Sequence, residues 1–269
     1  MRMILVHADH DKANEARLQT ALDIARCQRA HVTLLIATPF QQFVAVDPFG
    51  GSYLLREAMA KSQAEDAALE AALSVRLETE DVPWDVVVAD GDIVGSLAAA
   101  ATFADLAVVS LPGKPGSRAI GPELLAGDLA LATSVPVLAL PRDCERLDLD
   151  APAMVAWNGS PEAANALRAA VPLLRGREVV LVSVGKDDGT LPAGDALTYL
   201  SRHDIHAEAR IVDRGGVTVE EALEKAADAM GAGLIVMGAF GKSRLRETLF
   251  GGVTQYLVTA GRIPLLLAH

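Results

Sequence analysis

Aromatic residues are scarce: Phe, Tyr and Trp make up 4% of the chain, although 51% of it is hydrophobic. Its cores must therefore be filled by aliphatic side chains and alanine. Cysteine is scarcer still. Cys27 and Cys144 lie far apart with no CxxC pair, which excludes a disulfide framework and suits a reducing, cytoplasmic setting. No apolar run approaches the roughly 18 residues of a membrane span. The apolar stretch within Met1–Asp9 is too short for a signal peptide. Positive charge is in deficit. A net charge of −11 argues against nucleic acid or an anionic membrane as a general partner. Catalytic patterns are missing too. His7, His10, His31, His203, His206 and His269 form no HExxH or zinc spacing, and no Gly-x-Ser-x-Gly elbow occurs. Asp213 and Arg214 stand near an expected site, yet no residue marks itself as a general base.

What is present is an internal repeat. Asp105–Ser110 matches Gly233–Gly238, and Val135–Leu140 matches Ile263–Ala268, both at an offset of 128 residues. Ile4–Asp9 matches Ala153–Asn158 at an offset of 149. The first half thus carries 21 more residues between its first and fourth strands, with Gln41–Ser62 as the expected source. Two units follow, 1–142 and 151–269, joined by a charged linker over 141–152.

Each unit alternates short apolar runs with helical patterns. Strands are expected at 2–8, 32–38, 85–90, 106–110 and 136–140, then at 153–157, 178–184, 206–212, 234–237 and 264–268. Near-continuous apolar runs of this kind suit a parallel sheet covered on both faces. Leu18, Ala21, Leu22 and Ala25 form one buried helical stripe, and Ala163, Ala166, Leu167 and Ala170 another. Ser160-Pro161 reads as an N-cap and first helical residue, Thr218-x-x-Glu221 as a capping box with Gly231 as its stop. The fold class is α/β: two tandem doubly wound five-stranded parallel sheet domains, Rossmann-like in construction. Ligands of such sheets sit beyond the carboxyl ends of the strands where strand order reverses. In the second half this mouth is expected to gather Asn158, Val184, Gly185, Arg214, Gly215 and Gly238.

The last unit holds the most specific motif. The run Leu234–Met237 leads into Gly238-Ala-Phe-Gly241, and nine residues later comes Gly251-Gly252-Val253-Thr254. A strand, a glycine turn, a loop and a helix start near 251 would aim backbone N–H groups at one point, which suits a phosphate. Gly241-Lys242-Ser243 superficially matches the end of a Walker A loop, but Val236 stands where that loop needs glycine. The spacing Gly-x2-Gly-x9-Gly, with Asn158-Gly159-Ser160 after the first strand, resembles the nucleotide-binding motif of the universal stress protein family. The resemblance departs at two positions. Gly252 replaces a family Ser or Thr, and Asn158 replaces the adenine-contacting Asp.

This resemblance implies a cytoplasmic stress-response or signalling protein binding ATP, ADP or AMP, with Mg²⁺ allowed beside the nucleotide. It implies no catalytic residues beyond slow ATP hydrolysis in some family members. Gly238, Gly241, Gly251, Gly252 and Val253 would then offer backbone contacts, Thr254 its hydroxyl, and Lys242 or Arg244 a compensating charge. Asn158, with Gly159 and Val184, would face the base or ribose. The rival reading is an interaction or assembly module of the same fold, with glycines that only shape turns. The family also places the last strand of each unit at a sheet edge, which implies an intramolecular pseudo-dimer through Val135–Leu140 and Ile263–Ala268, and allows a homodimer.

The repeat offset transfers the motif to the first half, where it is lost. Ser110, Gly113, Glu123, Leu124 and Ala126 replace Gly238, Gly241, Gly251, Gly252 and Thr254. A carboxylate at 123 would oppose a phosphate. Lys114 and Arg118 serve the first-half loop, against Lys242, Arg244 and Arg246 in the second. Asp9, Asp90, Asp92 and Glu123 are expected near the first mouth, where they could collect a hard cation or simply cap helices.

Overall fold

The computed structural model describes residues 1–38, 52–112, 124–185, 190–239 and 252–269, with backbone alone at 52–56 and 58. The first half runs β1 (Met3–Ala8), α1 (Asn14–Gln28), β2 (His31–Thr38), α2 (Ser52–Leu77), β3 (Trp84–Asp90) and α3 (Ile93–Ala100). A single 3₁₀ turn (Ala101–Phe103), β4 (Leu106–Ser110), α4 (Leu125–Ala132) and β5 (Val137–Leu140) complete it. The second half runs β6 (Ala153–Ala156), α5 (Pro161–Leu174), β7 (Val179–Val184), α6 (Ala193–Ser201) and β8 (Ala207–Val212). It ends with α7 (Val219–Met230), β9 (Leu234–Gly238), α8 (Gly252–Ala260) and β10 (Leu265–Ala268).

The ten strands form one sheet in the order β3-β2-β1-β4-β5-β10-β9-β6-β7-β8. Within each half every pairing is parallel. The halves meet antiparallel, with Leu265 opposite Ala139, Leu266 opposite Leu138 and Leu267 opposite Val137. All of these residues are fully buried. The apolar last strands therefore cover each other, and the exposed edges pass to β3 and β8.

Local signals explain the elements. The stripes of α1 and α5 are buried throughout. Ser160 caps α5 by accepting from Ala163 N at 3.1 Å, and Pro161 fills its first turn, where a missing N–H costs nothing. Thr218 and Glu221 form the reciprocal capping box of α7, which ends at left-handed Gly231. The length surplus of the first half extends beyond Ser62. α2 has 26 residues where its counterpart α6 has 9, and the rest of the expected insertion, up to Gly51, lies outside the described residues.

Each face of the sheet carries one apolar cluster, and each cluster spans both halves. Ile4, Val6, Leu22 and Leu138 join Leu167, Leu181 and Leu266 on one face. Leu5, Leu129 and Ala139 join Val180, Met237 and Leu267 on the other. The linker is charged, as expected, but it is packed rather than free. Leu147 is buried and its N–H donates to Thr20 Oγ1 at 2.9 Å. Arg142 pairs with Asp11, and Arg177 donates to the carbonyls of Asp148 and Ala151. Gln28 Nε2 also donates to Pro172 O at 3.0 Å across the halves.

A shared core predicts shared unfolding. Leu138→Ala, at the seam, is expected to cost about 2–5 kcal/mol and to lower one transition reported by probes in both halves. Two separable transitions in a urea titration, with only the first half destabilised, would contradict it.

Candidate functional site: two unlike mouths at the strand ends

Strand order reverses at β1 in the first half and at β6 in the second, because each is flanked by the second and fourth strands of its unit. Adjacent strands lie about 4.8 Å apart. In the second half the carboxyl ends of β9, β6 and β7 are therefore neighbours, which brings Gly238, Asn158 and Val184 to one crevice. Arg214 and Gly215 do not join it. They follow β8, the outermost strand, roughly 10 Å sideways from β6.

Asn158 is exposed at the mouth, and its Oδ1 accepts from Ser160 N at 3.1 Å. Gly159 follows with φ 65°, and its carbonyl accepts from Leu191 N at 3.1 Å and Thr190 Oγ1 at 3.2 Å. The stretch after β7 is thereby tied over the turn after β6. Gly238 has a packing role of its own. A Cβ there would lie 2.5 Å from Glu162 C and 2.6 Å from Ala163 N, so β9 can approach the first turn of α5 only without a side chain.

Across the crevice the described part of α8 begins at Gly252, near the expected helix start. Gly252 is exposed, Val253 is half-buried and Thr254 is 5% exposed, so the Thr254 side chain is turned mostly inward. Sequence reasoning missed Glu220. A Cβ on Gly252 would stand 3.3 Å from its Oε1, so a carboxylate already lies beside the first residue of α8. Its place in the first turn of α7, next to the capping residue Glu221, followed from the sequence; its proximity to α8 did not. Gly241, Lys242, Arg244, Arg246 and Gly251 lie outside the described residues.

The first-half mouth is closed by its own arginine. Arg17, on α1, is 1% exposed. Its Nε donates to His7 O at 2.7 Å, Nη1 to Ser110 Oγ at 2.6 Å, and Nη2 to Asp9 Oδ1 at 2.5 Å and Asn14 Oδ1 at 3.2 Å. Four acceptors take four of the five guanidinium N–H donors, as a buried cation requires. Ser110 and Asp9 are the counterparts of Gly238 and Asn158, so the residues that would face a ligand bind Arg17 instead. Burial pushes the Asp9 carboxyl up, but the Arg17 charge, His7 and the hydrogen bonds from Arg17 and Asp11 N outweigh it and hold it below its ordinary value.

Asp9 and Asp92, described acidic residues of the first mouth, have other partners. Asp9 is committed to Arg17. Asp90 ends β3 and Asp92 follows it, two strands from β1, and Asp92 accepts from Gly95 N at 2.7 Å as the N-cap of α3. No metal-binding group of three His, Cys, Asp or Glu occurs among the described residues. Glu123, Gly113, Lys114 and Arg118 lie outside them.

These features define a class: a doubly wound α/β protein of two fused units, with one glycine-lined mouth and one mouth filled by a buried ion pair. The model of the universal stress protein family matches residues 152–269. Over its full length the chain is similar to the crystal structure of a universal stress protein from Archaeoglobus fulgidus DSM 4304, with a TM-score of 0.76 and 17% identity over 99% of this chain and 97% of that one. It is also similar to a functionally unknown protein from Pseudomonas aeruginosa PAO1, with a TM-score of 0.62 and 16% identity over 100% and 92% of the two chains. Among curated proteins no sequence matches. The second half of the chain is thus a universal stress protein domain, and the first half shares its fold. No described helix is long and apolar enough to cross a membrane.

His7 gives the first mouth a pH signature. Its ring is 3% exposed, and its Nε2 has no hydrogen-bond partner among the described residues. Burial first, then the Arg17 charge, push its pKa down from 6.5 to about 4, against the pull of Asp9 and Asp11. The unfolded chain binds this proton near pH 6.5 and the folded chain only near 4. Stability is therefore full above pH 6.5 and falls as pH drops towards 4, by about 3 kcal/mol in all. Asp9 adds its own loss only below its ordinary value of 3.8. In urea titrations at several pH values, His7→Leu is expected to flatten the curve between 6.5 and 4; an unchanged slope in the variant would remove His7 as the cause.

Proposed function

We infer that the chain binds one adenine nucleotide, in the second half, as part of a cytoplasmic stress-response or signalling role. The observation that carries this is the asymmetry of equivalent positions. At the first mouth Arg17 occupies Asp9 and Ser110. At the second, Ala166 stands where the repeat places Arg17, and among the described residues the ends of β6, β7 and β9 carry no such plug. The family match over 152–269 and the Gly-x2-Gly-x9-Gly spacing support the same reading.

In this reading Gly238, Gly241, Gly251, Gly252 and Val253 present backbone to the ligand, with Thr254 at the helix start. Lys242 and Arg244 offset phosphate charge, with Mg²⁺ allowed beside it. Asn158, Gly159 and Val184 face the base or ribose. No residue is assigned to catalysis. The units 1–142 and 151–269 act as an intramolecular pseudo-dimer, joined through β5 and β10. The second reading, an assembly module without nucleotide, draws on Glu220 beside Gly252, because an acid at a helix N-terminus competes with a phosphate.

Calorimetric titration with ATP is expected to give one site per chain and an affinity that falls as salt rises. Gly251→Glu, which copies Glu123 of the first half, should abolish binding and leave the circular dichroism unchanged. A stoichiometry near two, or wild-type affinity in that variant, would refute the assignment. Glu220→Gln separates the two readings. Removing its charge should tighten ATP binding by roughly 0.3–1 kcal/mol, the scale of a charge at a helix terminus; absence of binding in both proteins would favour the assembly module.

A further inference from the structure

At the outer edge of the second half, α7 leaves much of β8 uncovered. The result is a groove of about 450 Å³ on the same sheet face as α7. Its floor is the half-buried Val212, backed by the buried Val180 and Val182, and its wall is Ala222, Ala226 and Ala229. Small alanines on α7 make the room. Three cations also line it: Arg210 and Arg214 from the β8 side and Lys225 from the helix. The one carboxylate among the lining residues, Asp213, accepts Gly215 N at 3.2 Å within its own turn.

The cations keep donors free. Arg214 uses Nε to bond Val217 O at 2.6 Å, and Arg210 bonds the neighbouring Glu208 at 3.2 Å on an exposed surface. Neither Arg214 nor Lys225 makes an ion pair among the described residues. In a chain of net charge −11 such a clustering of positive charge stands out. The fold does not demand it. Aligned through strand register and helix N-caps, the first half places Val87, Gly91 and Ala99 where Arg210, Arg214 and Lys225 stand.

We propose that this groove binds an aliphatic carboxylate, a medium-chain acyl anion whose chain lies on the valine and alanine surface and whose carboxylate meets Arg214 and Lys225. A dry aliphatic floor with a few convergent charges is the usual make-up of a small-ligand site. The absence of any aromatic among the lining residues disfavours a base or an aromatic acid, which would seek stacking. The cations of the groove stand on β8 and α7, three strands from β9 and roughly 14 Å from it, and the groove meets the crevice of the proposed nucleotide only along β7, where Val182 and Val184 are two residues apart. The anion-binding groups proposed here, Arg214 and Lys225, are not among those assigned to the nucleotide.

The test is titration of the full chain with dodecanoate below its micellar range, with dodecanol as the uncharged control. One site per chain is expected, with dodecanol weaker. The exposed triple change Arg210→Gln, Arg214→Gln and Lys225→Gln should weaken dodecanoate by roughly tenfold or more, the scale of lost charge-assisted hydrogen bonds, and leave dodecanol unaffected. Ala229→Trp, also at an exposed position, should fill the groove and block both. ATP should not displace the probe. No binding by wild type, equal binding by the triple variant, or displacement by ATP would each overturn the proposal.

Discussion

The structure depends on one seam: the antiparallel pairing of β5 with β10. Parallel sheets are normally buried on both faces, and their end strands present unpaired N–H and C=O groups. Val137–Leu140 and Leu265–Ala268 are apolar on both faces, so neither could remain a solvent-exposed edge without cost. Pairing them satisfies both rows of backbone groups at once. It also fuses the helix layers, because the apolar clusters on each face then run across the seam without interruption. The more polar strands β3 and β8 are left at the outside, where Asp85, Asp90, Glu208 and Arg210 are tolerated.

Within this common frame the two mouths are built differently. At equivalent sites the first half has Asp9, Arg17 and Ser110, and the second has Asn158, Ala166 and Gly238. The first set forms a buried, hydrogen-bonded ion pair that holds α1 against β1 and β4. The second set lacks the cation, and its helix and strand instead meet through backbone, with Gly238 against Glu162 and Ala163. The same helix-on-sheet contact is thus made by charge in one half and by the absence of a side chain in the other. Only the latter leaves the crevice unfilled by a side chain of α5.

Periodicity carried most of the fold. The ten strands lie within a residue of their expected limits, because continuous apolar runs between capped helical stripes permit little else. Ser160, Thr218, Glu221 and Gly231 do what their local chemistry implies, since caps and stops act over three or four residues. The repeat offset also identified the last strands as counterparts. The long α2 was harder to read, as its excess over α6 lies in alanine-rich sequence without a sharp boundary.

Sequence alone therefore determined the alternation of elements, the two units and the difference between the two glycine regions, all of which depend on neighbours close in the chain or on repetition. Tertiary structure decided which charged groups meet. Arg17 and Ser110 are 93 residues apart; Glu220 and Gly252 approach only because α7 and α8 pack side by side; Arg210, Arg214 and Lys225 converge because a helix of alanines stops short of an edge strand. Such encounters leave no periodic trace, because the energy of a charge depends on distance and burial in space, and the chain encodes those only through the finished fold.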